Sequence, residues 1–174
     1  MFAAAGSRIF DVSIYQVVSI EVSLLNSARW QYINFTPAGS NTYIVCANGV
    51  DSVREYDGTV WTTPAITGVT SSTLINVNAH KRRIWFIEAN SSNAWYLATD
   101  AITGAATRFA LGAFMTKGGY LVAMGTWTID GGNGPDDLAV FATSRGQIIV
   151  YKGTDPGNIN AWALVGVFDL AVPL

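Results

Sequence analysis

One strand pattern recurs three times along this chain and restricts its fold more than any other feature. An apolar strand is followed 12 or 13 residues later by an aromatic strand, then by a glycine-bearing turn, then by a strand carrying a large ring. The pattern runs through Tyr43-Ile44-Val45, Tyr56-Asp57-Gly58 and Trp61. It returns as Ile84-Trp85-Phe86, Tyr96-Leu97, Gly104 and Phe109, and again as Leu138-Ala139-Val140, Tyr151-Lys152-Gly153 and Trp162. The middle strands, marked by Tyr56, Leu97 and Tyr151, stand 41 and 54 residues apart. Repeats of roughly 40–50 residues built from four short strands are the sequence signature of propeller blades.

The expected fold is therefore all-β and propeller-like, with about four short four-stranded antiparallel blades in a single domain over 1–174. A partial blade spans 1–31, and full blades span 32–66, 72–112 and 119–168. Turn chemistry sets these boundaries. Asn48-Gly49 and Asp57-Gly58 tolerate the positive φ of tight hairpins, and Asn90–Asn93, Ser144-Arg145-Gly146 and Gly153–Asn160 punctuate the later blades. The second strand of each blade is apolar on both faces, as in Ile84-Trp85-Phe86-Ile87. A one-sided sheet would alternate apolar with polar, whereas a sheet held between two neighbours is buried on both sides. Ser13–Leu25 is rich in β-branched residues and reads as strand rather than helix. Phe2–Gly6 and Arg8–Val12 read as the second and third strands of the partial blade, and Asp169–Leu174 reads as the start of a further element. Two arrangements stay open: a closed four-bladed ring, or an arc of a larger propeller. An unclosed ring leaves sheet edges that invite pairing with another chain.

Composition narrows the function classes. Ten basic and twelve acidic residues leave a net charge of −2, which does not mark a nucleic-acid surface. Charged residues make up 13% and hydrophobic residues 50%, a lean surface that points to coverage by partners. Cys46 is the lone cysteine, so a disulfide framework and a cysteine zinc site are both excluded within one chain. No apolar stretch reaches the ~18 residues of a membrane helix, and the first eight residues do not read as a signal peptide.

Few residues suggest chemistry. The acidic residues fall mostly at turns, and the arginines share no blade position, so no paired carboxylates of a glycosidase emerge. The expectation is no catalysis, no metal site and no cofactor. Asp130–Asp137 is an oxygen-rich loop that lacks the calcium-loop spacing and reads as a turn. His80-Lys81-Arg82-Arg83 is the one basic cluster, a candidate rim or DNA-channel contact if several copies assemble. Its plainer reading is a solvated turn. Tyr56, Trp61, Leu97, Phe109, Tyr151 and Trp162 read as repeated blade-packing positions. The six tryptophans leave a second reading open, a carbohydrate-binding propeller that stacks sugars on indoles.

The stretch from Asp137 to Phe168 carries a more specific pattern: Thr143, Gly146, Tyr151, Gly153, Thr154, Asp155, Pro156, Trp162 and Gly166. Together with the earlier hairpin Tyr56-Asp57-Gly58…Trp61, it resembles the propeller region of tail nozzle, tail-tube and DNA-stabilisation proteins of short-tailed phages. The resemblance runs over about 32–170. It implies a virion structural protein, made in the bacterial cytoplasm and placed in the phage tail. The implied partners are other tail proteins and further copies of the chain, assembled around a DNA channel without catalysis. Such proteins are several times longer, so the resemblance also implies a fragment or a truncated prophage copy.

Overall fold

The structure, a computed structural model, describes residues 1–130 and 135–171; at 129, 130, 135 and 136 it describes the backbone alone. Strands dominate it. They are β1 (Phe2–Ala5), β2 (Arg8–Ile14), β3 (Val17–Val22), β4 (Gln31–Phe35), β5 (Tyr43–Ala47), β6 (Arg54–Tyr56), β7 (Trp61–Thr62), β8 (Ile66–Thr67) and β9 (Leu74–His80). There follow β10 (Arg83–Glu88), β11 (Asn93–Tyr96), β12 (Gly104–Ala105), β13 (Thr107–Ala110), β14 (Leu121–Asp130), β15 (Pro135–Thr143), β16 (Gln147–Gly153) and β17 (Trp162–Asp169). Two 3-10 turns, Ser71–Thr73 and Gly112–Phe114, are the helical segments among the described residues. The chain is thus all-β. The oxygen-rich loop at Asp130–Asp137 and the end of the Asp169–Leu174 segment lie largely outside the described residues.

Among the described residues, four of the five sheets are antiparallel meanders. The first is β1-β2-β3, the second β4-β5-β6-β7, the third β9-β10-β11-β13 and the fourth β14-β15-β16-β17; β8 and β12 form a small parallel pair. Each four-strand run read from the sequence closes into one sheet because its turns reverse the chain tightly. Asp57 shows how: its carboxylate accepts the backbone N–H groups of Thr59 and Val60 at 2.7 and 2.8 Å and so holds the β6–β7 hairpin. Asp155 likewise accepts from the Gly157 N–H at 3.1 Å. Gly153 ends β16 at φ +140°, where a Cβ would lie 2.0 Å from the Ala161 carbonyl oxygen, so the Gly153–Trp162 pairing admits glycine alone.

Adjacent sheets share their cores. In β10, Ile84 and Phe86 pack with Phe35, Val45 and Ala47 of the second sheet, while Trp85 and Ile87 pack with Phe141 and Ile149 of the fourth. That strand is buried on both faces, as its unbroken apolar run requires. The first sheet meets the second through Ile9, Val22 and Leu25, packed by Phe2, Trp30 and Trp61. The first strands β4, β9 and β14 lie beside one another. Asn76 and Asn78 of β9 join this seam to β14: the Met124 N–H donates to Asn76 Oδ1 at 3.1 Å, and Asn78 Nδ2 donates to the Met124 carbonyl at 2.9 Å.

The packing positions divide by face. Trp61 and Tyr56 pack against Phe2 of the preceding sheet. Leu97 joins the core shared with the preceding second sheet. Tyr151 and Trp162 stack at 5.7 Å in the core shared with the preceding third sheet. Phe109 differs. It faces the following sheet, beside Phe141 and Tyr151, because its register partner is Ala94, whose side chain points that way. A strand alternates faces at every residue, so the offset brought in with the β12 segment turns Phe109 over.

Candidate functional site

The basic cluster occupies the β9–β10 turn. Lys81 and Arg82 hold φ of 47° and 60°, an unusual pair of left-handed residues without glycine or asparagine. Each cation meets a carboxylate from a different turn or strand. Lys81 Nζ lies 3.1 Å from Asp137, Arg82 pairs with Asp100, and Arg83 lies 3.1 Å from Asp155 while its guanidinium sits 5.6 Å from the centre of the Tyr96 ring. The positive charge of this turn is therefore compensated within the chain, and two of the pairs tie the third sheet to the fourth. DNA contact here would require those pairs to open.

His80 is almost fully buried and packs edge-on against Trp162 at 5.7 Å. Its Nδ1 lies 3.1 Å from the Thr126 hydroxyl, and its Nε2 is buried without a partner among the described residues. Burial, with Lys81 adding repulsion and Asp137 opposing it, pushes the imidazole down to about 4. The folded value lies below the unfolded 6.5, so the stabilisation is complete above that pH and is lost as pH falls toward 4. Allowing for residual solvent screening, the loss is on the order of 2 kcal/mol. Urea melts of the protein between pH 7 and pH 4.5 are expected to show this slope, and His80→Gln is expected to flatten it.

The carboxylates do not converge on a pocket. Asp57 caps a hairpin, Asp100, Asp137 and Asp155 hold cations, and Asp51 is enclosed by hydrogen bonds from Asn26, Ser27 and Asn48. Among the described residues no three of His, Cys, Asp and Glu stand together as a metal site. Nor is any described helix long and apolar enough to cross a membrane.

A groove of about 470 Å³ between the first and second sheets draws residues from both. Met1, Phe2, Ala4 and Ile9 form one wall; Tyr32, Ile44 and Cys46 form the other, with Trp30 and Trp61 also lining it. Burial alone raises the Cys46 thiol to about 12, so it is an un-ionised apolar group at neutral pH. The indole N–H groups of Trp30 and Trp61 are buried and have no acceptor among the described residues. The sequence held no signal for this groove, because its walls lie about 30 residues apart in the chain and meet only through sheet packing. Asn76 and Asn78 did leave a signal: asparagine at alternate positions is unusual inside a strand.

Fold and site together define the class: an all-β protein of successive antiparallel meanders with shared cores. Set against protein-family models, curated proteins and solved structures, the chain matches none.

Proposed function

We propose that this chain is a structural assembly module, a propeller-type wall of β-sheets that works by association with further copies. The observation that carries this reading is that both outermost sheets turn apolar faces outward. On the first sheet Ala3, Phe10 and Ile20 are register partners on the side away from Ile9 and Val22, and Ile20 is 52% exposed. On the fourth sheet Trp127, Val140, Ile148 and Phe168 share the side away from Phe141, with Trp127 58% and Phe168 53% exposed. Such faces are where a further sheet would pack.

The resemblance to phage tail nozzle and DNA-stabilisation proteins supports a virion structural role. The motif residues behind it have building roles here: Gly153 permits a strand end, Asp155 holds a turn and Arg83, and Tyr151 and Trp162 stack. In this reading the module is a rigid segment of a tail assembly and performs no chemistry. Sugar binding gains less support, because Trp85 and Trp162 are committed to the core between the third and fourth sheets.

Light scattering across a concentration series tests the proposal. A defined oligomer is expected, reduced to smaller species by Phe168→Lys or Ile20→Lys. A monomeric mass at every concentration, unchanged by either substitution, would sink it.

A further inference from the structure

The third and fourth sheets meet along a seam between their first strands, β9 and β14. No backbone ladder crosses it among the described residues, since the two strands belong to different sheets. Side-chain bonds hold it instead. In order along the seam, the Met124 N–H donates to Asn76 Oδ1 at 3.1 Å and Asn78 Nδ2 donates to the Met124 carbonyl at 2.9 Å. Next, the Thr126 hydroxyl donates to the Ala79 carbonyl at 3.1 Å, and His80 Nδ1 meets the same hydroxyl at 3.1 Å. His80 therefore closes the end of the seam that lies beside the Lys81-Arg82 turn.

These bonds fix the tautomer of the ring. A hydroxyl has one proton, and that of Thr126 goes to the Ala79 carbonyl, which can only accept. His80 Nδ1 is then the donor to Thr126 Oγ1, so Nε2 of the neutral ring carries no proton. Nε2 is buried and has no partner among the described residues. A second proton can enter only there. Its N–H would find no acceptor among those residues, in a site 3% exposed and walled by the Trp162 ring. Of the charged groups that act on the ring, Lys81 repels a cation and Asp137 attracts one. Asp137 is already engaged by Lys81 and Thr128, while Arg82 and Arg83 are engaged by Asp100 and Asp155.

We infer that the β9–β14 seam is a proton-operated joint: uptake of a proton by His80 parts the two strands while the ladders within both sheets stay intact. Parting the seam is the smallest movement that opens His80 Nε2 to water. It breaks side-chain bonds and the partly exposed Lys81–Asp137 pair, which is worth little in water. Unfolding either sheet would instead break the β9–β10 and β14–β15 ladders. The turn yields readily, since Lys81 and Arg82 both occupy the left-handed region that non-glycine residues disfavour. The joint is a local event, distinct from the global loss of stability at low pH, and it does not depend on assembly.

His80 is the only histidine, so nitrogen NMR of the isotope-labelled protein reads its imidazole without ambiguity. At neutral pH the proton is expected on Nδ1, and a proton on Nε2 would overturn the inference. Amide hydrogen exchange in low urea, corrected for the intrinsic rate at each pH, then follows the joint. The Met124 amide reports the seam, because it donates across it to Asn76, and the β10–β11 ladder amides report the sheets. At pH 4.5 Met124 is expected to exchange faster than the ladder amides and with little dependence on urea, the mark of a local opening. Between pH 7 and pH 4.5 its protection is expected to fall roughly fifty-fold, the factor by which protons favour an opened ring at the ordinary 6.5 over a closed one at about 4. His80→Asn keeps a donor toward Thr126 without a titrating group and is expected to abolish that fall. Should the variant fold poorly, the urea comparison on the native protein decides alone. A Met124 amide that exchanges at the rate and with the urea slope of the ladder would mean global unfolding only and overturn the inference. Urea-independent exchange whose protection does not change with pH would overturn it too.

Discussion

Trp85→Ala is expected to remove about 4 kcal/mol of folding stability, the largest effect of any single substitution in this chain. The side chain is 1% exposed and stands at the centre of an aromatic cluster built from two sheets. It lies 4.9 Å from Tyr96, 5.8 Å from Phe109, 5.7 Å from Phe141 and 5.8 Å from Trp162. Truncation loses the transfer free energy of the indole and leaves a cavity whose rigid ring walls cannot collapse. A domain of this size has only about 5–15 kcal/mol in hand, so the loss is a large fraction of the total. Trp85→Phe keeps a ring in place and is expected to cost much less. Urea denaturation of both variants, followed by near-ultraviolet circular dichroism, makes the comparison. A shift below about 1 kcal/mol for the alanine variant would mean that the third and fourth sheets do not share this core.

Asp51→Ala is the second large effect, at about 3 kcal/mol. The carboxylate accepts the Asn26 backbone N–H at 2.9 Å, the Ser27 N–H at 3.2 Å and the side-chain amides of Asn26 and Asn48 at 2.8 Å each. It thereby fastens the link between the first and second sheets to the β5–β6 turn. Removing it strands several donors, a heavier loss than that of one exposed bond. Burial works to raise its pKa, but the hydrogen bonds from Asn48, Asn26 and Ser27 outweigh it and hold the group below the ordinary 3.8. Because the folded value is depressed, the stabilisation is present above 3.8 and is lost as pH falls through the folded value. Acid melts below pH 4 should therefore narrow the gap between wild type and Asp51→Ala. That window lies below the one in which His80 acts, so the two contributions separate on a pH axis. A gap that stays constant down to pH 2 would refute the role given to the carboxylate.

Much of the architecture was legible because strand signals are local. Alternation, β-branched runs and turn dipeptides such as Asp57-Gly58 delimit the three four-strand runs, and those runs are the second, third and fourth sheets. Ser13–Leu25, which carries some helical spacing, is strand only as far as Val22, split by a turn at Tyr15-Gln16 into the end of β2 and β3, and Ser23–Leu25 belong to the connection that follows. Phe109 shows where local reading stops. Its place in the repeat matches Trp61 and Trp162, but one offset in register sends it to the opposite face. Register depends on the partner strand and not on the residue itself.

The candidate sites divide in the same way. The cluster at His80–Arg83 is plain in the sequence, yet its counter-charges Asp100, Asp137 and Asp155 lie 18 to 72 residues away in the chain. Only the tertiary structure shows that this turn is electrically compensated and that it joins two sheets. The groove beside β1 could not be read at all, since it is a relation between two sheets. By itself, then, the sequence determined the all-β class, the strand runs and their turns, because backbone propensity and side-chain alternation act over a few residues. Which faces meet and which charges pair was settled by the tertiary structure, because those outcomes depend on contacts between segments that the chain brings together only on folding.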